Sequence, residues 1–215
     1  MEDRNQHTLG AVEMACEALG VQRLDLLNVS FPGVGFDAED EVHRKDTASS
    51  SSSSISDAEQ EVDEETKSFL TTYPTLESLV HSQTISKIGL SEFGSSRLSQ
   101  LLRGLGFSPD ATTTTTATPP RVRPSVVQIN VRDCCVVPRE LIQYSKREGI
   151  QLLTHNDSAE VLTQEGLQGV VEESGVLEGF ETTSRRKVVP LWVVKYTAVV
   201  RDRSVVENKG YVISF

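Results

Sequence analysis

Apolar positions along the chain come in short bursts, and their spacing alternates between a helical and a strand-like period. Leu9, Val12, Cys16 and Leu19 recur at three- and four-residue steps, and Gly20 closes that helical run. Residues 24–29 read as a strand, ended by Pro32-Gly33. A helix is predicted from about Thr75 to Ser82, with Leu76, Leu79 and Val80 inward, followed by a strand over 85–90. Leu98, Leu101 and Leu102 mark a further helix that ends near Gly104. Val126, Val127 and Ile129 form a β-branched run of the kind buried in parallel sheets. Pro138 suits the start of a helix, because its missing N–H would have no partner there. Leu141, Ile142 and Ser145 give that helix one mainly apolar side, Gly149 can end it in the left-handed conformation, and 150–153 form the next strand. Residues 158–183 are weakly helical, through Val161, Leu162, Leu167 and Val170. Residues 192–200 and 204–215 are two β-rich runs, readable as an antiparallel hairpin. Strands alternating with helices predict an α/β protein with a mainly parallel sheet.

Two stretches break the pattern. Residues 37–66 contain a serine run from Ser49 to Ser54 among acids, and residues 109–123 contain a threonine run from Thr112 to Thr116 followed by Pro119-Pro120. Such segments bury too little apolar area to offset their ordering entropy, so both are expected to be disordered insertions. The net charge of −10 sits almost wholly in the first of them, where eleven acids face Arg44 and Lys45. The low isoelectric point therefore reports a solvated loop, and with no basic stripe nucleic acid is not an expected partner. Ser54 and Ser56, with Asp57 and Glu59 three residues on, also form a setting acidophilic kinases accept.

The longest apolar run, 188–194, is seven residues and includes Pro190, whereas a membrane span takes about 20. No membrane association is expected, and Met1 is not followed by a signal-peptide pattern. Cys16, Cys134 and Cys135 have neither metal-ligand spacing nor the pattern of a secreted disulfide framework, so no metal is expected. A reducing cytoplasmic setting fits best.

VQINVRDCCVVPREL together with GIQLLTHND, within residues 124–157, resembles the regulatory (modifier) subunits of glutamate–cysteine ligase, a family of the aldo-keto reductase superfamily. The likeness continues in GAVEMACEALGVQRLDLLNVSFP (10–32), LESLVHSQTISKIGLSEFG (76–94), VPLWVVKYTAVV and NKGYVISF. It implies an aldo-keto reductase-like (β/α)8 TIM barrel, one domain over 1–215 carrying the insertions 37–66 and 109–123. About 170 residues remain outside the insertions, where a whole barrel takes about 250. The likeness begins at the helix before the fourth strand. The first βα units are missing from the match, so the expectation is a sequence truncated there, the favoured reading, or an open, incomplete barrel with two unpaired edge strands.

Reductases of that superfamily use a Tyr, a Lys, an Asp and a His. By the resemblance, Ser30 of Ser30-Phe31-Pro32 takes the place of the histidine, and a serine lacks the reach and charge of imidazole. The other three positions have no counterpart, so no catalytic residue is assigned. Ser91 and Gln128 match cofactor-pocket residues, Glu92 stands where a neutral amide is expected, and His155 matches the tyrosine that stacks on nicotinamide. Arg185-Arg186-Lys187 precedes the closing strands and is no phosphate clamp. Ser30, Ser91, Gln128 and His155 are therefore candidates for a vestigial pocket without a cofactor.

The adjacent pair Cys134 and Cys135 has several readings: a strained vicinal disulfide, two small core residues, or one thiol exposed for an intermolecular bridge. Asp133 beside them disfavours the thiolate. The resemblance implies a heterodimer with the glutamate–cysteine ligase catalytic subunit and a non-catalytic, activating role in glutathione biosynthesis, with Cys134 or Cys135 as the redox link. Trp192 and Tyr211 are further interface candidates, since Trp and Tyr often anchor interfaces. A divergent or truncated NADP-dependent aldo-keto reductase is the alternative, and a stand-alone scaffold the third.

Overall fold

The structure, a computed structural model, describes residues 2–31, 33–36, 64–107, 120–132, 136–157, 163–175, 189–200, 202–203 and 205–214. In chain order the elements are α1 (Glu2–Leu19), β1 (Leu27–Val29), α2 (Glu64–His81), β2 (Ile88–Ser91), α3 (Ser95–Gly104), β3 (Val126–Asn130), α4 (Arg139–Glu148), β4 (Gln151–His155), α5 (Gln164–Glu173), β5 (Trp192–Val200) and β6 (Val205–Ser214).

Strands β1 to β4 pair in sequence order, all parallel. Leu27 is in register with Ile88, Leu90 with Val127 and Ile129 with Thr154. Side chains alternate across a strand. One face of the sheet therefore carries Leu27, Val29, Ile88, Leu90, Val127 and Ile129, and the last four of these are buried under α2 to α4 with Leu76, Leu79, Leu98, Leu101, Leu102 and Leu141. The other face carries Asn28, Gly89, Ser91, Val126, Gln128, Asn130, Gln151, Leu153 and His155, polar at its C-terminal end apart from Leu153.

Local chemistry accounts for the helix ends. Pro138, at φ −57, precedes α4, Glu140 lies in its first turn, and Lys146 and Arg147 lie in its last, where each charge opposes the helix dipole. Gly149, at φ 69, closes α4 as anticipated, its N–H donating to the Lys146 and Ser145 carbonyls.

Helix α2 departs from expectation. It begins at Glu64, inside the stretch 37–66 assigned to an insertion, rather than near Thr75. Pro74 lies within it; proline cannot donate to the carbonyl four residues earlier, but its φ is compatible with a helix. Thr66, Phe69, Tyr73 and Leu76 are all buried along one side, and that burial carries the helix through the proline. The Phe69 ring lies tilted against those of Phe31 and Phe93, with centroids 4.5 and 4.8 Å away, joining α2 to the chain after β1 and β2.

The second insertion, 109–123, is also shorter than expected, because its final residues are held. The buried Glu77 carboxylate accepts from Arg121 Nε and from the Val122 N–H, both at 2.9 Å. Tyr73 donates its hydroxyl to the Val122 carbonyl at 2.9 Å. His81 Nε2 lies 3.0 Å from the Pro120 carbonyl. Arg123 pairs with Glu148 at 2.9 Å and covers the Phe107 ring.

The described residues group into two compact units. The first, 22–156, holds the parallel sheet with α2 to α4. The second contains α1, α5 and an antiparallel ribbon of β5 and β6 that bulges at Ala198/Val199. In it Ala11, Val12 and Ala15 of α1 are buried, α1 lies against both strands, Trp192 is half-buried and Tyr211 is exposed. The hairpin expectation for the last two runs holds. Closure into a barrel is not seen among the described residues: the parallel sheet has four strands, and closing such a barrel takes about eight.

Candidate functional site

Parallel strands deliver their C-terminal ends to one rim, and βα proteins gather functional groups there. Here the rim is formed by the ends of β1 to β4. Ser91 closes β2 and is in register with Gln128, while His155 closes β4 in register with Asn130. Three of the four pocket candidates, Ser91, Gln128 and His155, thus share the polar face of one sheet. Ser30 follows β1 at the same rim and is exposed, whereas its neighbour Phe31 turns into the aromatic cluster. Cys134 and Cys135 lie outside the described residues, as do Pro32, Asp133, Ser54, Ser56 and Arg185 to Lys187.

Two residues without a site assignment complete the geometry. Asn28 Nδ2 donates to Gln128 Oε1 at 2.6 Å, across β2. It can do so because Gly89 lies between them: a Cβ there would stand 1.7 Å from Asn28 Oδ1. The signal was present in the sequence as an Asn inside the apolar run 24–29, but only pairing order shows what it faces.

Glu92 is the second. It has φ 64, a left-handed conformation uncommon outside glycine. Its N–H donates to the Gln128 carbonyl at 2.8 Å, and its own carbonyl accepts from Arg97 Nη1 at 3.1 Å. Its carboxylate accepts from the Asn130 N–H at 3.1 and 3.2 Å, and His155 Nε2 lies 3.3 Å from Oε1. Glu92 therefore bridges the ends of β2, β3 and β4. Chemically the rim offers carboxamides, a hydroxyl and a carboxylate–imidazole pair. Among the described residues no group of three or more His, Cys, Asp or Glu could hold a metal ion, and no helix is long and apolar enough to cross a membrane.

The molecule is thus an α/β protein with a parallel sheet and a polar strand-end rim. Its curated relatives are glutamate–cysteine ligase regulatory subunits. The chain is 29% identical over 206 residues, 96% of its length, to the glutamate–cysteine ligase regulatory subunit of Homo sapiens, and equally to that of Mus musculus. It is 27% identical over 195 residues, 90% of its length, to the putative glutamate–cysteine ligase regulatory subunit of Schizosaccharomyces pombe. The matches cover 59% of the two mammalian relatives and 58% of the yeast one, so the chain spans under two thirds of their length. The resemblance carried by the strand–helix–strand stretch 124–157 is borne out. No family model matches the chain. Solved structures similar to it include an aldose reductase from Schistosoma japonicum, with a TM-score of 0.43 and 17% identity over 80% of this chain and 48% of that one. An aldo/keto reductase from Brucella melitensis has the same score and identity over 79% and 48%.

Proposed function

We propose that this chain acts as a regulatory subunit of glutamate–cysteine ligase, binding the catalytic subunit in the cytoplasm and activating it in glutathione biosynthesis without an active site of its own. The observation that carries the reading is the 29% identity to subunits of that name over 96% of the chain. The rim is consistent with it. Ser30 stands where the resemblance places a reductase histidine, and Glu92 puts an acid over the sheet where a neutral amide is expected. Activation requires that the chain bind one conformation of its partner better than another.

The test is to co-express the chain with the catalytic subunit and assay the purified material. Co-purification with a changed KM for glutamate, or a changed sensitivity to glutathione, is expected. Unaltered turnover and glutathione inhibition would overturn the reading. Cys134 or Cys135 is proposed as the thiol that links to the partner; a C134S/C135S variant should lose any disulfide-linked band on a non-reducing gel.

A NADP-dependent aldo-keto reductase is the second reading, supported by the registered pair of Ser91 and Gln128. It predicts saturable quenching of NADPH fluorescence at micromolar cofactor, whereas the regulatory reading predicts none.

A further inference from the structure

One backbone N–H and one imidazole converge on a single carboxylate at the sheet's rim, and that carboxylate belongs to the chain itself. The Asn130 N–H donates to both Glu92 oxygens at 3.1 and 3.2 Å. His155 Nε2 approaches Oε1 at 3.3 Å. The Glu92 side chain is only 15% exposed and that of His155 24%, so the meeting takes place largely out of water. Reaching this position holds Glu92 at φ 64, in backbone space that costs a β-carbon-bearing residue of order 1 kcal/mol. Arg97, donating to the Glu92 carbonyl, and the Gln128 carbonyl, accepting from its N–H, hold that backbone in place.

We propose that the rim formed by Asn130 and His155 is a binding site for a small organic carboxylate, and that Glu92 occupies it in cis. A carboxylate accepts from the Asn130 N–H, and from His155 Nε2 in the tautomer that carries its proton there, in bonds assisted by its charge. A tethered carboxylate held on its own ordered backbone competes as an intramolecular ligand, so a free acid must displace it before binding. The wild-type rim is therefore closed to small acids and opens when the Glu92 side chain is displaced. This inference goes beyond the regulatory reading and does not depend on it.

The experiment uses Glu92→Gly, since glycine adopts φ 64 without strain and the backbone hydrogen bonds of residue 92 are kept. Sodium acetate is the probe, with sodium chloride at matched ionic strength as the control. Thermal unfolding of E92G should rise saturably with acetate, by about 3 °C at ten times its Kd, and not with chloride. The wild type should show no acetate-specific rise. The double variant E92G/H155Q should bind acetate about tenfold more weakly. Should E92G not fold, E92N carries the same test, because asparagine also tolerates left-handed backbone. An E92G protein indifferent to acetate overturns the proposal. So does a wild type that responds equally, or an unchanged acetate Kd in the double variant.

Discussion

The side-chain amide of Asn28 reaches that of Gln128 at 2.6 Å, although the two residues are 100 positions apart in sequence and sit on strands separated by a third. The reach depends on Gly89, the register partner of Asn28 on the intervening strand. A methyl group there would overlap Asn28 Oδ1, which has no hydrogen-bond partner among the described residues.

Gly89→Ala should therefore destabilise the parallel sheet by about 1–3 kcal/mol, through overpacking and loss of the bond to Gln128. In an Asn28→Ala background the same change should cost about 1 kcal/mol less, because the two nearest obstacles are gone and the next, Leu26 Cδ1, stands at 3.2 Å. Urea unfolding of the four proteins measures this coupling, and additive losses would contradict it.

Ser145→Ala should stabilise the protein. Ser145 is 1% exposed on the inner side of α4, and its hydroxyl has no partner among the described residues. Removing a buried, unsatisfied hydroxyl while gaining helix propensity is worth about 1 kcal/mol. A melting temperature at or below that of the wild type would contradict the expectation.

Gly149→Ala should cost about 1 kcal/mol, since alanine resists the φ of 69 at which this residue ends α4. Gly149→Asn should cost less. Equal losses in the two variants would mean that the left-handed cap is not what limits the position.

Tyr73 should make stability fall in alkali. Burial first, and then the Glu77 carboxylate, push its phenol well above the ordinary 10.0, against the opposing pull of Arg121 and Arg123. The unfolded chain loses this proton near pH 10, while the folded chain keeps it. The stabilising contribution is thus complete below about pH 10 and declines as pH rises above it, by about 1.4 kcal/mol per unit. Tyr73→Phe should lose about 1 kcal/mol at neutral pH with the bond to the Val122 carbonyl, and should lack this share of the alkaline slope. Comparing unfolding of the two proteins at about pH 9 and about pH 11 tests the sign.

Much of the fold was legible from local pattern. The apolar steps of residues 98–102 and the β-branched run at 126–129 become α3 and β3 with little shift. The β5–β6 hairpin follows from two β-rich runs. The errors share a cause. The helix expected from about Thr75 starts at Glu64 instead, with Phe69 and Tyr73 buried ahead of Pro74. Pro120 to Arg123 read as the tail of a low-complexity loop, yet Glu77, Tyr73 and His81 hold three of them. Partners more than thirty residues away decide both.

Sequence alone determined which stretches turn helical or extended, apart from the start of α2, where Gly149 stops a helix, and that Ser91, Gln128 and His155 were worth watching. Periodicity and special φ values act over a few residues, so they can be read without knowing the fold. Tertiary structure alone decided which of those residues meet: Asn28 with Gln128 across a glycine, and Glu92 with Asn130 and His155 at the rim. Strand order and register bring these groups together, and both are set by burial of the opposite, apolar face.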